Sequence, residues 1–358
     1  MGPVPVVRSR ALLHLAAIVV IVAGLKAAGA IIVPFLLAVF LAIICSPLLF
    51  WLQRRGIPDL LGLVLILGAV VGIWMLFVML AGTTLADFSR NVPYYQDRLT
   101  LIMQEIMRRL TEYGLSVDTT ALEDILNPGR IMKMVASTLN GLGGMLTNTF
   151  LILLIFIFLL LEAAGIQDKL RAIRGNQDDS LEEYAAITSG VNRYLGIKIT
   201  TSLLTGIMVF ILLSVQKVDF AILWAMCAFL LNFIPNIGSI IAAIPAVLLC
   251  LIQLGPIQAL ITTIGYLAIN TVVGSIIEPR VMGAGIGLSP LVVFLSLIFW
   301  GWVLGPVGML LSVPLTMTLK IAMGGKDSTR WIALLLGSNR DVATYLEECQ
   351  KGTGTKEE

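Results

Sequence analysis

One acid and one base, separated by a proline, stand alone in a long apolar stretch. Phe220 to Ile277, 58 residues, carries no charged side chain, and neither does Val281 to Leu319, 39 residues; Glu278-Pro279-Arg280 lies between them. A carboxylate in such a setting can take up a proton or a cation. The guanidinium can pair with it or hold the oxygens of a polar substrate. The proline can end a helix, so the same pair also reads as a helix end at which Arg280 serves topology. Asn232, Asn236 and Ser239 cluster at a break, Ile234-Pro235-Asn236-Ile237-Gly238, and offer both hydrogen-bond donors and acceptors. A helix starting near Gly238 aims free N–H groups at whatever precedes it, and Asn236 equally suits as its cap. Asn270 lies about two helical turns before Glu278, with Ser275 between them; this polar pair faces a binding region or packs helices. Ser312 and Thr316 follow a second break, Leu304-Gly305-Pro306-Val307-Gly308. Trp300 and Trp302 beside that break fit an interfacial belt, helix packing, or the wall of a pocket for an uncharged ring. The candidate substrate contacts are therefore Asn232, Asn236, Ser239, Asn270, Glu278, Arg280, Ser312 and Thr316. Pro235, Gly238, Gly305, Pro306 and Gly308 form the two tips.

The same inventory excludes other chemistry. His14 is the sole histidine, so a histidine-based metal site or a Ser-His-Asp triad is not expected, and no enzyme, metal or cofactor is predicted. Gly324-Gly325-Lys326-Asp327 lacks the Ser or Thr that follows the lysine of a phosphate loop, so ATP drive is not indicated. Cys45, Cys227, Cys250 and Cys349 have no metal-ligand spacing and read as reduced thiols, the first three buried. The net charge of +2 is spread along the chain, which gives no nucleic-acid signal. Charge rings or a carbonyl filter, the marks of a channel, are not evident.

Such residues need a bilayer to sit in. The chain is 58% hydrophobic and 13% charged, against about a quarter charged in soluble domains. A helical crossing needs about 20 apolar residues. Ala11–Leu25, Ile31–Leu52, Leu60–Ala81, Gly143–Leu161, Ile199–Gln216 and Ile257–Ile277 read as six spans. Arg8 and Arg10 before an apolar run imitate a signal peptide, but a second apolar run follows at once, so two spans joined at Lys26 explain the region better. Gly68-x-x-x-Gly72 is a weak sign of close helix contact. Phe220–Ile252 and Leu291–Leu319 are the broken segments. If each break is a turn, the limbs reach about 20–24 Å, short of the roughly 30 Å apolar core, and re-entrant hairpins fit. Kinked ordinary spans, giving eight to ten crossings, are the alternative. Arg8, Arg10, Arg54, Arg55, Lys169, Arg171, Arg174, Arg193, Lys198, Arg280, Lys320, Lys326 and Arg330 fall on one side by alternation, which the positive-inside rule makes cytoplasmic, with both termini inside.

The expected organisation is an all-α integral membrane protein in five regions. Residues 1–82 hold three spans, and 83–142 form a small helical extracytoplasmic subdomain suited to packing or shielding an oligomer. Residues 143–198 hold the fourth span and a cytoplasmic connecting helix, 199–323 the transport region, and 324–358 a cytoplasmic tail. The broken segments resemble each other: Pro235 and Pro306 stand 71 apart, Gly238 and Gly308 70, and Pro245 and Pro314 69. One full span separates them, so two hairpins would enter from opposite faces as an inverted repeat with tips near the midplane.

Asn232-Phe-Ile-Pro-Asn-Ile-Gly238, Asn270 leading into Glu278-Pro279-Arg280, Gly283, Leu288-Ser289-Pro290, and Gly305-Pro306-x-Gly308 with Pro314 resemble the autoinducer-2 exporter family of bacterial membrane proteins. The resemblance runs from the first pair of spans to about Met323. It implies an inner-membrane secondary transporter that exports autoinducer-2, a small polar furanone used in quorum sensing. It also implies a homo-oligomer, with a pentamer suggested, and an elevator-like movement of the hairpin region. Other family members are linked to sodium/proton antiport, so a cation/proton antiporter using Glu278 stands as the alternative. A scaffold without flux is a third reading.

Overall fold

A computed structural model describes residues 6–112, 149–163, 179–235, 237–282, 287–325, 329–338 and 343. Asn236, Gly283, Lys169, Arg171, Arg174, Lys326 and Cys349 lie outside these, as does the second half of the expected extracytoplasmic subdomain, 113–142. The described residues form helices α1 (Val6–Ala27), α2 (Gly29–Arg54), α3 (Asp59–Glu112), α4 (Thr149–Ala163), α5 (Asp179–Val215), α6 (Ala221–Leu231), α7 (Ile237–Leu254) and α8 (Pro256–Asn270). A π-helical stretch, Thr271–Ile277, then leads into α9 (Glu278–Met282), followed by α10 (Pro290–Gly324) and α11 (Arg330–Leu336). With no strand among the described residues, the chain is all-helical there, as the apolar runs predict.

Six of these helices are long and apolar enough to cross a membrane: Gly29–Arg54, Asp59–Arg109, Thr188–Val215, Ile237–Leu254, Pro256–Val281 and Pro290–Gly324. Among the described residues, the apolar helices Ala16–Ala27 and Thr149–Glu162 overlap the expected first and fourth spans, and two of the six lie in the broken segments. The composition change near Thr83 does not interrupt α3, which runs unbroken through Pro93. Thr83 and Thr84 donate to the carbonyls of Met79 (2.9 Å) and Leu80 (2.7 Å), satisfying their hydroxyls within the helix instead of ending it. Beyond them the polar half carries exposed Glu105–Arg108, Glu105–Arg109 and Arg108–Glu112 pairs at helical spacing, each contributing little in water.

The chain divides into two compact units. One comprises residues 1–66, 148–196 and 284–358; the other comprises 67–147 and 197–283. In the first, α2 packs against α4, and α10 packs against α1, α2 and α11. Lys26 of α1 stands 3.9 Å over the Trp302 ring, a cation–π contact. Gly62 meets Leu49 where α3 begins. In the second, an aromatic cluster fixes the polar half of α3. Phe88 lies edge-on to Phe220 (5.7 Å) and to Trp224 (5.8 Å), and the Tyr95 hydroxyl donates to Asp219 Oδ2 at 2.9 Å. Phe88, Tyr95 and Trp224 are buried. An added Cβ at Gly68 or Gly72 would meet nothing within 4 Å, so that pair makes no close helix contact within the described chain.

Both broken segments turn back on themselves. In the first, α6 has 11 residues and α7 has 18; at about 1.5 Å per residue the limbs are about 16 and 27 Å, less equal than the sequence suggests. Gly238 closes the turn: a Cβ there would sit 1.7 Å from the Leu231 carbonyl oxygen. In the second, Gly305 adopts φ 70°, ψ −153°, a conformation open to glycine, and divides α10. Trp300 Nε1 donates to Thr316 Oγ1 at 3.0 Å. In a straight helix residues 16 apart are about 24 Å apart, so the limbs must lie side by side. Gly308 repeats the role of Gly238, since its Cβ would fall 2.0 Å from the Trp300 carbonyl oxygen.

Candidate functional site

The N-terminal part of α5's apolar stretch carries a buried polar face. Lys198, Thr201, Ser202 and Thr205 follow i, i+3, i+4, i+7 spacing, which puts them on one side of the helix, and all four are buried. Thr201 Oγ1 donates to the Lys198 carbonyl (3.2 Å) and Thr205 Oγ1 to the Thr201 carbonyl (2.9 Å), so the helix itself satisfies these hydroxyls. Ser202 Oγ accepts from Asn232 Nδ2 at 3.0 Å, tying α5 to the C-terminal end of α6 at the first tip. One turn past Ser202, Gly206 lets α5 approach α6 closely: its Cβ would lie 3.2 Å from both the Ala225 oxygen and Phe229 Cβ.

At the base of this face Lys198 Nζ lies 2.9 Å from Glu278 Oε1 and 3.0 Å from Oε2. Only 5% of the lysine side chain and 16% of the glutamate side chain are exposed. Glu278 is positioned by the π-helical stretch, whose wider winding is a frequent mark of functional sites. From Lys198 to Thr205 the face extends about 10 Å along the axis, a strip of ammonium, carboxylate, hydroxyl and amide inside apolar packing. It can hold a small polar molecule by hydrogen bonds or hold a charge against the ion pair.

A second concave region lies in the same unit. A cavity of about 400 Å³ runs between α7 and α8, with Ser239, Thr263, Tyr266 and Asn270 among mostly aliphatic walls. The buried Tyr266 hydroxyl has no hydrogen-bond partner among the described residues.

The predicted residues therefore separate. Asn232 joins Ser202; Ser239 and Asn270 share the cavity; Glu278 joins a lysine. Arg280, offered as a partner for Glu278, is exposed, and the bidentate contact comes from Lys198 instead. Asn236 lies outside the described residues. Ser312 and Thr316 are buried in the other unit. Both hydroxyls are used within α10: Ser312 donates to the Met309 carbonyl at 2.8 Å, and Thr316 accepts from Trp300. Sequence reasoning took Lys198 as a topology marker and passed over Thr201, Ser202 and Thr205. The signal available was their helical spacing within an apolar run.

Long apolar helices, with a buried polar strip inside one of the two units, define a multi-pass helical membrane protein of the transporter type. Residues 15–326 match the family described as AI-2E family transporter, and the chain belongs to that family. A Haemophilus influenzae relative, whose name assigns transport only provisionally, is 44% identical over 338 residues, 93% of this chain and 97% of its own. The Escherichia coli K12 protein named AI-2 transport protein TqsA is 39% identical over 319 residues, 89% of this chain and 93% of its own. A more distant relative from Halobacillus andaensis, named sodium-lithium/proton antiporter, is 27% identical over 316 residues, 77% of this chain and 86% of its own.

Proposed function

We propose that the protein exports a small polar organic solute, AI-2 foremost, across the bacterial inner membrane, with both termini cytoplasmic. The observation that carries this reading is the buried hydroxyl and amide strip of α5 and α6, which suits a neutral, oxygen-rich solute. The name of the Escherichia coli relative supports AI-2 as the solute. The two turned-back segments act as re-entrant hairpins of opposite entry, and an elevator-like movement of the region that holds them carries the solute. Copies of the chain associate as a homo-oligomer in the bilayer.

A cation/proton antiporter using Glu278 is the second reading, favoured by the name of the Halobacillus andaensis relative. The lysine held against both Glu278 oxygens counts against it, because a coupling carboxylate must be open to its ion. Proteoliposomes of the purified protein loaded with AI-2, with and without an imposed proton gradient, test the proposal. Protein-dependent AI-2 efflux supports export. Sodium/proton exchange without AI-2 efflux would replace export with antiport.

A further inference from the structure

We propose that Lys198 is a tethered cation occupying a monovalent-cation site at Glu278, so that removing its charge opens that site to sodium. The inference rests on the transport reading only in taking α5 and Glu278 as part of the transport region.

The geometry is that of an ion on a bidentate carboxylate. The ammonium contacts both oxygens almost equally, at 2.9 and 3.0 Å, and hides with them from solvent. An ammonium on a flexible stem is a compact point charge, the closest side-chain stand-in for a small hard cation. A carboxylate buried without a counter-charge is costly, so once the lysine charge is gone the site must take up a cation or a proton. Further oxygens stand on the same helix face as Lys198: the Thr201 hydroxyl, held by the Lys198 carbonyl, and the Ser202 hydroxyl, held by Asn232. The wild-type protein carries its counter-ion covalently and needs none from solution. Lys198 thereby sets whether the transport region couples to a dissolved cation.

The test uses the full-length protein in detergent and in proteoliposomes. Thermal unfolding is followed at alkaline pH in sodium chloride and, for comparison, in choline chloride. Wild type and Lys198→Arg should unfold at the same temperature in both salts. Lys198→Ala and Lys198→Gln should be stabilised by sodium in a saturable way and should bind radioactive sodium, and adding Glu278→Gln should abolish both effects. Stabilisation of wild type by sodium would overturn the proposal, as would neutral variants that fold but ignore sodium because the carboxyl has simply taken a proton. Neutral variants that fold in neither salt would also overturn it, since sodium should replace the lost charge. AI-2 efflux from wild-type proteoliposomes, measured in parallel, keeps the two proposals apart: absent efflux with a sodium-responsive Lys198→Ala would remove the export reading and leave this one standing.

Discussion

Glu278 and Lys198 hold each other in place, and their burial makes the cost of separating them asymmetric. Removing one charge strands the other, at about 3–5 kcal/mol, while removing both together is often nearly neutral. Glu278→Gln should therefore lower the unfolding midpoint sharply, and Lys198→Met with Glu278→Gln should recover most of the loss. A double-mutant cycle by denaturant unfolding in detergent reads this, and additive losses would contradict the pairing. Tyr95→Phe should cost about 1 kcal/mol, the value of the hydrogen bond to Asp219, with the aromatic cluster kept. Glu278 was legible as chemistry because nothing else in its surroundings is charged. Its partner was not, since a lysine at the edge of an apolar run is also what topology requires there. Thr201, Ser202 and Thr205 barely disturb hydropathy, and they declare themselves only once the helix brings them to one face.

At the scale of elements, two glycines close two turns by the same means. The Cβ of Gly238→Ala or Gly308→Ala would collide with a backbone carbonyl that cannot swing aside. Each substitution should cost about 1–3 kcal/mol or more, as overpacked sites do, and should reduce folded yield. Gly68→Ala, with open space around it, should be silent in the same gel-filtration and unfolding assays. On the polar face, Ser202→Ala with Asn232→Leu removes both members of a buried hydrogen bond, so folding should survive while solute efflux falls at least tenfold. Loss of folding along with efflux would recast that strip as structural. The breaks could be read from Pro and Gly alone, because those residues punctuate helices locally. The π-helical winding of Thr271–Ile277 could not, since the stretch carries no proline and no charge to mark it.

For the molecule as a whole, the sequence yielded helix content and the apolar runs, because both are properties of single segments. It did not yield the two units, which are assembled from segments far apart in the chain. Orientation can be tested directly. Cys45, Cys227 and Cys250 are buried and free, so with Cys349 replaced by serine they leave a quiet background for labelling. Arg55→Cys should react with an impermeant maleimide only from the cytoplasmic side and Arg98→Cys only from outside; the reverse pattern would invert the topology. The way the units share the chain also dictates an order of birth. Every residue of 67–147 and 197–283 has been synthesised before the last part of the other unit, 284–358, begins. At about 5–20 residues per second, that final part takes on the order of 4–15 s to make. Through that interval α1 and α2 wait in the bilayer without α10, their eventual neighbour, so the nascent protein must shelter an incomplete half beside one that already has all its parts.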